Sequence, residues 1–171
     1  ISKRVYMDTL SHALWGGGLF GYRKYRWVAI FFGVIPDLLS FGVLFLIKFV
    51  SGELNYSGLP TLESLLQLRP IPEWVFIMDN FTHSFVTSFL FITIVYFLKP
   101  QLVWPILAWP FHILLDFAFH TKDLFPVQLF WPITDYYVDG VSWSHPLVWF
   151  SNAAGIAILF LYRWATKEQK L

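Results

Sequence analysis

The 171-residue chain contains no cysteine, and charged residues make up only 13% of it. The absence of cysteine excludes disulfides, thiolate nucleophiles and zinc–thiolate sites, so any metal ion must be held by nitrogen and oxygen. The net charge is +1, without a block of like charges, which argues against nucleic-acid binding. The sequence also has no H-E-x-x-H, G-x-S-x-G or phosphate-loop pattern, so those enzyme classes lose support.

Apolar residues dominate the chain instead. Hydrophobic residues account for 57% of the sequence and aromatic residues for 21%, well outside the usual composition of a soluble domain. We therefore expect an integral membrane protein surrounded by lipid. A few spans of about 20 residues use up the whole length, so residues 1–171 are predicted to form one membrane-embedded domain.

Four segments are long and apolar enough to cross a bilayer as helices. They are Trp27 to Val50, Trp74 to Leu98, Leu102 to about His120, and Val141 to Tyr162. A fifth segment, Thr9 to Phe20, gives only about 18 Å of helix and either tilts across the membrane or re-enters. The predicted fold is all-α: a polytopic transmembrane helical bundle of four spans plus a short N-terminal spanning or re-entrant helix.

The connections between these segments alternate in charge. The short connection from Tyr22 to Arg26 and the C-terminal tail are basic, whereas the two longer loops, 51–73 and 121–140, are mainly acidic. By the positive-inside rule, the C-terminus is predicted to be cytoplasmic and the two longer loops to face outward.

Ionisable residues recur inside the apolar segments, where each costs about 2.5–3.5 kcal/mol on insertion scales and needs a partner or a function. Three pairs are spaced i, i+4, which puts both members on one helical face. These pairs are Asp8 and His12, Asp79 and His83, and His112 and Asp116. Asp37 lies near the middle of the first span, and His120 follows Asp116 by one turn.

Helical rise predicts that these residues meet at one depth. At about 1.5 Å per residue from the predicted cytoplasmic ends, Asp37 and His112 lie about 15 Å deep and Asp116 about 21 Å. His83 lies about 14 Å below the outer end of its helix. The predicted cluster is thus between the midplane and the outer leaflet. Its candidate metal ligands are Asp8, His12, Asp37, Asp79, His83, His112, Asp116 and His120.

A mixed His/Asp set of this size suits one or two divalent ions, with zinc or manganese favoured, because it exceeds the usual four ligands of one zinc. Two ions about 3.5–4 Å apart would suit phosphoester hydrolysis by an activated water. Asp8, Asp79 and Asp116 are the candidate general bases.

Lipids have the easiest access to such a buried site, so the expected substrate is amphiphilic, such as a phospholipid or a lipid-linked phosphoester. Lys122 and Arg69 are candidates to hold a phosphate at its mouth, although solvation of the surface explains both residues better. His145 precedes Pro146 near the outer surface, and anchoring or capping of the last helix explains it better than chemistry.

Two other interpretations stay open. The same residues would serve a non-enzymatic carrier of metal ions or protons, although that requires a polar path to both faces of the membrane. Alternatively, the aspartates and histidines pair with one another for purely structural reasons, which leaves the convergence of three pairs unexplained.

Five short motifs follow one another from Met7 to about Pro132. They are Met7-Asp8-Thr9-Leu10-Ser11-His12-Ala13, Ile35-Pro36-Asp37, Thr82-His83-Ser84, His112-Ile113-Leu114-Leu115-Asp116 and Leu129-Phe130-Trp131-Pro132. In order and spacing they resemble the YdjM-type family of membrane-bound, metal-dependent hydrolases. The resemblance implies an all-helical hydrolase of the prokaryotic inner membrane. The ligands that it implies are His12, Asp37, His83, His112 and Asp116.

The chain departs from this family at two positions. Asp79 stands where family members often carry a histidine, so it is either a replacement ligand or an outer-shell partner of a histidine. His120 stands where a small polar residue is more usual, which ranks it below the other candidate ligands.

Overall fold

The computed structural model describes residues 9–53, 70–122 and 126–168, which form helices and connecting segments without any strand. The helices are α1 (Thr9–Leu19), α2 (Arg26–Asp37), α3 (Val43–Val50), α4 (Glu73–Thr82), α5 (Phe85–Leu98), α6 (Val103–Ile106), α7 (Ala108–Phe119) and α8 (Pro146–Glu168). A π-helical stretch, Leu38–Gly42, joins α2 to α3, and a 3-10 turn, Pro100–Leu102, precedes α6. The all-α prediction is confirmed.

Three helical stretches are long and apolar enough to cross a membrane. They are Arg26–Val50, Pro100–Phe119 and Pro146–Thr166, which correspond to the first, third and fourth predicted spans. The last span begins five residues later than predicted, because Val141 hydrogen-bonds the carbonyl of Ala118 and the helix starts at Pro146, a residue favoured at the first helical position.

The second predicted span, Trp74 to Leu98, is not one continuous helix. Helices α4 and α5 meet at an angle of 55° across a break of two residues, His83 and Ser84. Ser84 caps α5 by accepting a hydrogen bond from the Val86 amide at 3.0 Å, which starts a new helix in a new direction. Within the described residues, the length and apolar composition of the helices allow a fourth span only if this bent pair crosses as one broken helix.

Much of the helical surface is apolar and exposed, as expected of side chains that face lipid. On the candidate spans, large exposed side chains include Trp27, Leu46, Phe49, Phe150 and Leu161. The residues that are buried instead face the centre of the bundle, where Trp109 and Ile113 of α7 pack against Val127 and Leu129.

Glycines let α1 lie unusually close to α2 and α7. A Cβ atom at Gly16 would be 2.7 Å from the carbonyl oxygen of Ala29, and one at Gly33 would be 2.7 Å from that of His12. Such distances leave no room for a larger residue on either helix, so the two backbones touch directly. Helix α1 has 11 residues, or about 16 Å of length, and is short for a span.

Basic residues gather at the end of α1 that is remote from Thr9. Arg163 of α8 donates a hydrogen bond to the carbonyl of Gly18 at 3.1 Å, and its guanidinium carbon lies 3.4 Å from the ring centre of Tyr22. Arg23 lies over the ring of Trp104 at 5.0 Å. This arrangement brings the basic connection and the C-terminal helix to one side of the bundle, and the assignment of that side to the cytoplasm stays a prediction.

Candidate metal centre

Four predicted ligands come together where several helices end or break. Asp37 is the last residue of α2, His83 follows α4 in the break, and His112 and Asp116 lie on α7. One ligand atom from each residue falls within 4.8 Å of the others. His83, His112 and Asp116 are each at most 2% exposed, whereas the side chain of Asp37 is 13% exposed, so three of the four residues are almost completely removed from water.

The distances within this group suit ligands of a single ion. Asp116 Oδ2 lies 2.9 Å from His112 Nε2 and 3.2 Å from His83 Nε2. The two Nε2 atoms are 3.1 Å apart, and Asp37 Oδ1 lies 3.6 and 3.7 Å from them. Two atoms that each lie about 2.0–2.2 Å from one ion are about 3.0–3.5 Å from each other in the common coordination geometries. The spacing therefore fits a metal ion at the centre.

The hydrogen-bond partners of Nδ1 in each imidazole show which of the two ring nitrogens carries the hydrogen. His112 Nδ1 is 2.8 Å from the carbonyl oxygen of Gly33, and because a carbonyl only accepts hydrogen bonds, Nδ1 must donate. His83 Nδ1 faces two oxygens of Asp79, the carbonyl at 3.0 Å and Oδ1 at 3.2 Å, so it also donates. A neutral ring then presents an unprotonated Nε2 to the cluster, as in metal-bound histidines.

The centre of the group is therefore electron-rich on every side. Two imidazole nitrogens and two carboxylate oxygens point at the same small volume. The groups nearest to the oxygens of Asp116 are imidazole nitrogens, with His112 Nε2 at 2.9 Å from Oδ2 and His12 Nε2 at 3.0 Å from Oδ1. Buried polar atoms are normally satisfied. A divalent cation would satisfy all four at once, so the residues present fit a metal ion.

Local structure explains how Asp37 reaches this position. Pro36 has no amide hydrogen and lies within α2, and the chain then widens into a π-helical stretch, a feature that is frequent at functional sites. Ser40 donates to the carbonyl of Pro36 at 3.1 Å, and Thr9 donates to Asp37 Oδ2 at 2.6 Å. The second carboxylate oxygen of Asp37 is thereby held, and Oδ1 is left to face the histidines.

A distant segment stabilises the break that carries His83. The carbonyl of Leu129 accepts hydrogen bonds from the amide of Phe85 at 2.8 Å and from the Ser84 hydroxyl at 3.3 Å. Trp109 donates to the carbonyl of Thr82 at 2.7 Å. Backbone groups freed by a broken helix must find partners inside the protein at membrane depth, and here they do.

His12 and His120 face the other oxygen of Asp116. His12 Nε2 lies 3.0 Å from Asp116 Oδ1, and its ring packs on that of His112 with 3.8 Å between centres and a tilt of 34°. His120 Nε2 lies 3.7 Å from the same oxygen, and its side chain is 29% exposed. Both histidines thus adjoin the four-residue group without belonging to it.

Asp79 lies behind His83 and outside the four-residue group. Its Oδ1 approaches Nδ1, the ring nitrogen that points away from the cluster, and the carboxylate is buried. This position favours the outer-shell alternative over a replacement ligand. Asp8, another predicted ligand and candidate base, lies outside the described residues, as does Arg69.

The remaining candidates lie away from the cluster. Lys122 forms an ion pair with Asp139 at 3.5 Å on the surface, and its backbone amide donates to the same carboxylate at 3.0 Å. These contacts, the amide hydrogen bond first, lower the pKa of the Asp139 carboxyl below its usual range. His145 precedes α8, where its carbonyl accepts from the amide of Trp149.

Sequence reasoning missed two contributors to the site. The carbonyl of Gly33 orients His112, and the hydroxyl of Thr9 holds Asp37. A signal for the first exists in the sequence: a lone glycine precedes Asp37 by one helical turn in an otherwise bulky apolar run. Thr9 has no comparable signal, since its role depends on how α1 packs.

The comparisons with known proteins identify no relative of this chain. The chain matches no model of a known protein family, no curated protein and no solved structure.

Proposed function

We propose that this protein is a membrane-embedded, metal-dependent hydrolase that acts on a lipid or lipid-linked phosphoester. The observation that carries the proposal is the convergence of Asp37, His83, His112 and Asp116 with their ligand atoms within 4.8 Å of one another. A divalent ion bound there would polarise a substrate oxygen and lower the pKa of a water molecule. The resemblance to YdjM-type hydrolases and the placement in a prokaryotic inner membrane belong to the same proposal.

The residues of the chain have separate tasks in this proposal. His83 and His112 would hold the ion through Nε2, and Asp79 and the Gly33 carbonyl keep those nitrogens aimed at it. Asp37 and Asp116 would supply the negative charge that a divalent ion requires. The mixed nitrogen and oxygen set suits zinc or manganese.

An apolar groove beside the site supports a lipid substrate. It has a volume of about 570 Å³, within the range of small-molecule sites. It lies between α2 and α5, and its lining includes Phe32, Ile35, Leu90 and Phe91. Thr82 also lines it, and the Thr82 hydroxyl is 3.3 Å from Nδ1 of His83. An acyl chain in this groove would therefore end beside His83, one of the residues of the proposed centre.

Carrier activity by the same residues is less well supported. A carrier needs polar groups on both sides of the ion. Among the described residues, buried ionisable side chains occur only in this cluster and in its neighbours His12 and Asp79. Towards the basic end of the bundle, the buried side chains are apolar, including Ala29, Ile106 and Ala108.

Metal content of the purified protein tests the proposal first. We expect bound zinc or manganese in the wild type and its loss in His83→Ala and His112→Ala. His145→Ala, which removes a histidine outside the cluster, is the matched control and should retain the metal. Near-zero metal in the wild type would contradict the proposal.

An activity assay then distinguishes a hydrolase from a carrier. The metal-loaded protein should release phosphate or a headgroup from at least one member of a phospholipid panel, and His112→Ala should not. Metal-ion flux into proteoliposomes without any turnover would favour the carrier.

A further inference from the structure

Basic side chains are concentrated at the end of the bundle where α1 ends and α2 begins. Arg26 lies in the first turn of one candidate span and Arg163 in the last turn of another. The connection between α1 and α2 and the turn after α5 add further cations at the same end. We call this set the basic surface, and its members are Arg23, Lys24, Arg26, Lys99 and Arg163.

The basic surface has no carboxylate to balance its charge among the described side chains. At the opposite end of the bundle, Lys48 forms an ion pair with Glu53, and Lys122 forms one with Asp139. No ion pair between described residues includes a member of the basic surface. Charge complementarity therefore favours an anionic partner at this end.

Two arginines of the basic surface are held beside the same aromatic ring. The guanidinium carbons of Arg163 and Arg23 lie 3.4 and 5.4 Å from the ring centre of Tyr22. Arg163 donates through Nε to the Gly18 carbonyl, and Arg23 donates through Nε to the Tyr22 hydroxyl at 2.9 Å.

These contacts leave both guanidinium groups able to bind an anion. Within the described residues, the terminal amino groups of Arg23 and Arg163 have no acceptor, and the planar set of N–H donors in arginine matches the oxygens of a phosphate. Two neighbouring positive charges also repel each other, and an anion bound by both would offset this repulsion.

Exposed aromatic residues place the basic surface at the level of lipid headgroups. Tyr and Trp are enriched where the hydrocarbon of a membrane meets water. The exposed aromatic residues at this end include Tyr22, Trp27, Trp104, Tyr162 and Trp164. A phosphate group that is abundant at this depth is the headgroup phosphate of a lipid, and basic pockets between transmembrane helices bind such headgroups.

We infer that the basic surface binds the phosphate of an anionic phospholipid, with Arg23 and Arg163 as the principal contacts. The bound lipid would link two elements, because Arg23 belongs to the connection after α1 and Arg163 belongs to α8. Arg26 and Asp37 begin and end α2, about 16 Å apart, so this surface is separate from the proposed metal centre. Lipid binding here needs neither the metal ion nor hydrolysis.

The lipid preference of the full chain in detergent tests the inference. Metal is first removed with chelator, so that no lipid is hydrolysed during the measurement. Phosphatidylglycerol should raise the melting temperature more than phosphatidylcholine at the same concentration. Arg23→Gln and Arg163→Gln should each weaken the apparent affinity for phosphatidylglycerol about fivefold, which corresponds to about 1 kcal/mol. Lys48→Gln removes one positive charge at the opposite end, and this matched control should keep the wild-type affinity.

Several outcomes would overturn the inference. Equal stabilisation by the two lipids would do so, as would the same loss of affinity in Lys48→Gln as in the arginine variants. Equal stabilisation by inorganic phosphate alone would indicate a site for free phosphate instead of a lipid. Arg23 is exposed, so Arg23→Gln should fold even if loss of the Gly18 contact destabilises Arg163→Gln.

His112→Ala distinguishes this inference from the proposed function. The variant should retain the preference for phosphatidylglycerol although it lacks a ligand of the proposed centre, so a failure of the hydrolase proposal would leave the lipid result intact. Loss of the preference in His112→Ala but not in the arginine variants would place the lipid at the buried centre and overturn the inference.

Discussion

The Nε2 atoms of His83 and His112 lie 3.1 Å apart, and the opposite nitrogen of each ring faces backbone oxygen. In neutral rings, two lone pairs are therefore directed at each other in a buried space beside the Asp116 carboxylate. This arrangement is unfavourable unless a proton or a cation lies between them. A metal ion bound between the two rings would remove this conflict.

Removing a metal ion bound by His83 and His112 should destabilise the folded protein. An ion present at 100 times its dissociation constant stabilises the folded state by about 2.7 kcal/mol. We expect chelator to lower the melting temperature of the wild type in detergent and to leave that of His112→Ala almost unchanged. Equal sensitivity of both proteins to chelator would indicate that the metal acts elsewhere.

Asp79 should act on metal affinity through His83. Its carboxylate is 3.2 Å from Nδ1 of His83, and loss of such an outer-shell partner typically weakens metal binding by about 10–100-fold. We expect Asp79→Asn to weaken binding by this factor while leaving the number of ions at saturation unchanged, as measured by competition with a chelator of known affinity. Asp139→Asn, which alters a surface carboxylate, is the control. A drop in stoichiometry instead would make Asp79 a ligand.

The sequence predicted the membership of the site better than its geometry. The i, i+4 spacing of His112 and Asp116 put both on one face of α7, and helical depth brought Asp37 to the same level. The i, i+4 spacing of Asp79 and His83 did not place both residues in the cluster, because α4 ends at His83. Asp79 therefore approaches the nitrogen of His83 that faces away from the cluster. That break depends on Leu129, more than 40 residues away, so no local pattern reveals it.

Gly33→Ala should separate α1 from α2. The new Cβ atom would lie 2.7 Å from the carbonyl oxygen of His12, so one backbone must move, at a cost of about 1–3 kcal/mol for an overpacked contact. We expect a lower melting temperature and weaker metal binding, since the Gly33 carbonyl also orients His112.

Gly42→Ala is the matched control for that change, because its Cβ would meet mainly the Leu38 side chain at 3.3 Å. Both substitutions gain helix propensity, so a larger loss of stability in Gly33→Ala would report on the contact with the backbone of His12. Equal melting temperatures of the two variants would show that the close approach of α1 and α2 does not determine which residue position 33 tolerates.

Asn152 should hold α8 against α1. It accepts a hydrogen bond from Trp15 Nε1 and donates one to Ser11 Oγ, both at 2.7 Å. Interhelical hydrogen bonds inside membranes are worth about 0.6–2 kcal/mol. We expect Asn152→Ala to reduce the free energy of unfolding by about this amount, measured by denaturation in detergent. Thr166→Val, which removes only hydrogen bonds within α8, should change it less.

Filling the apolar groove should alter the choice of substrate if an acyl chain occupies it. Ile94 lines the groove and is half exposed, so Ile94→Trp adds bulk there without disturbing the buried cluster. We expect the variant to raise KM for a long-chain phospholipid several-fold while hydrolysis of a short-chain analogue changes little. Ile158→Trp adds the same bulk to the lipid-facing side of α8, where Ile158 is exposed, and should affect neither substrate. An equal loss with both chain lengths in Ile94→Trp would show that the groove does not hold the acyl chain.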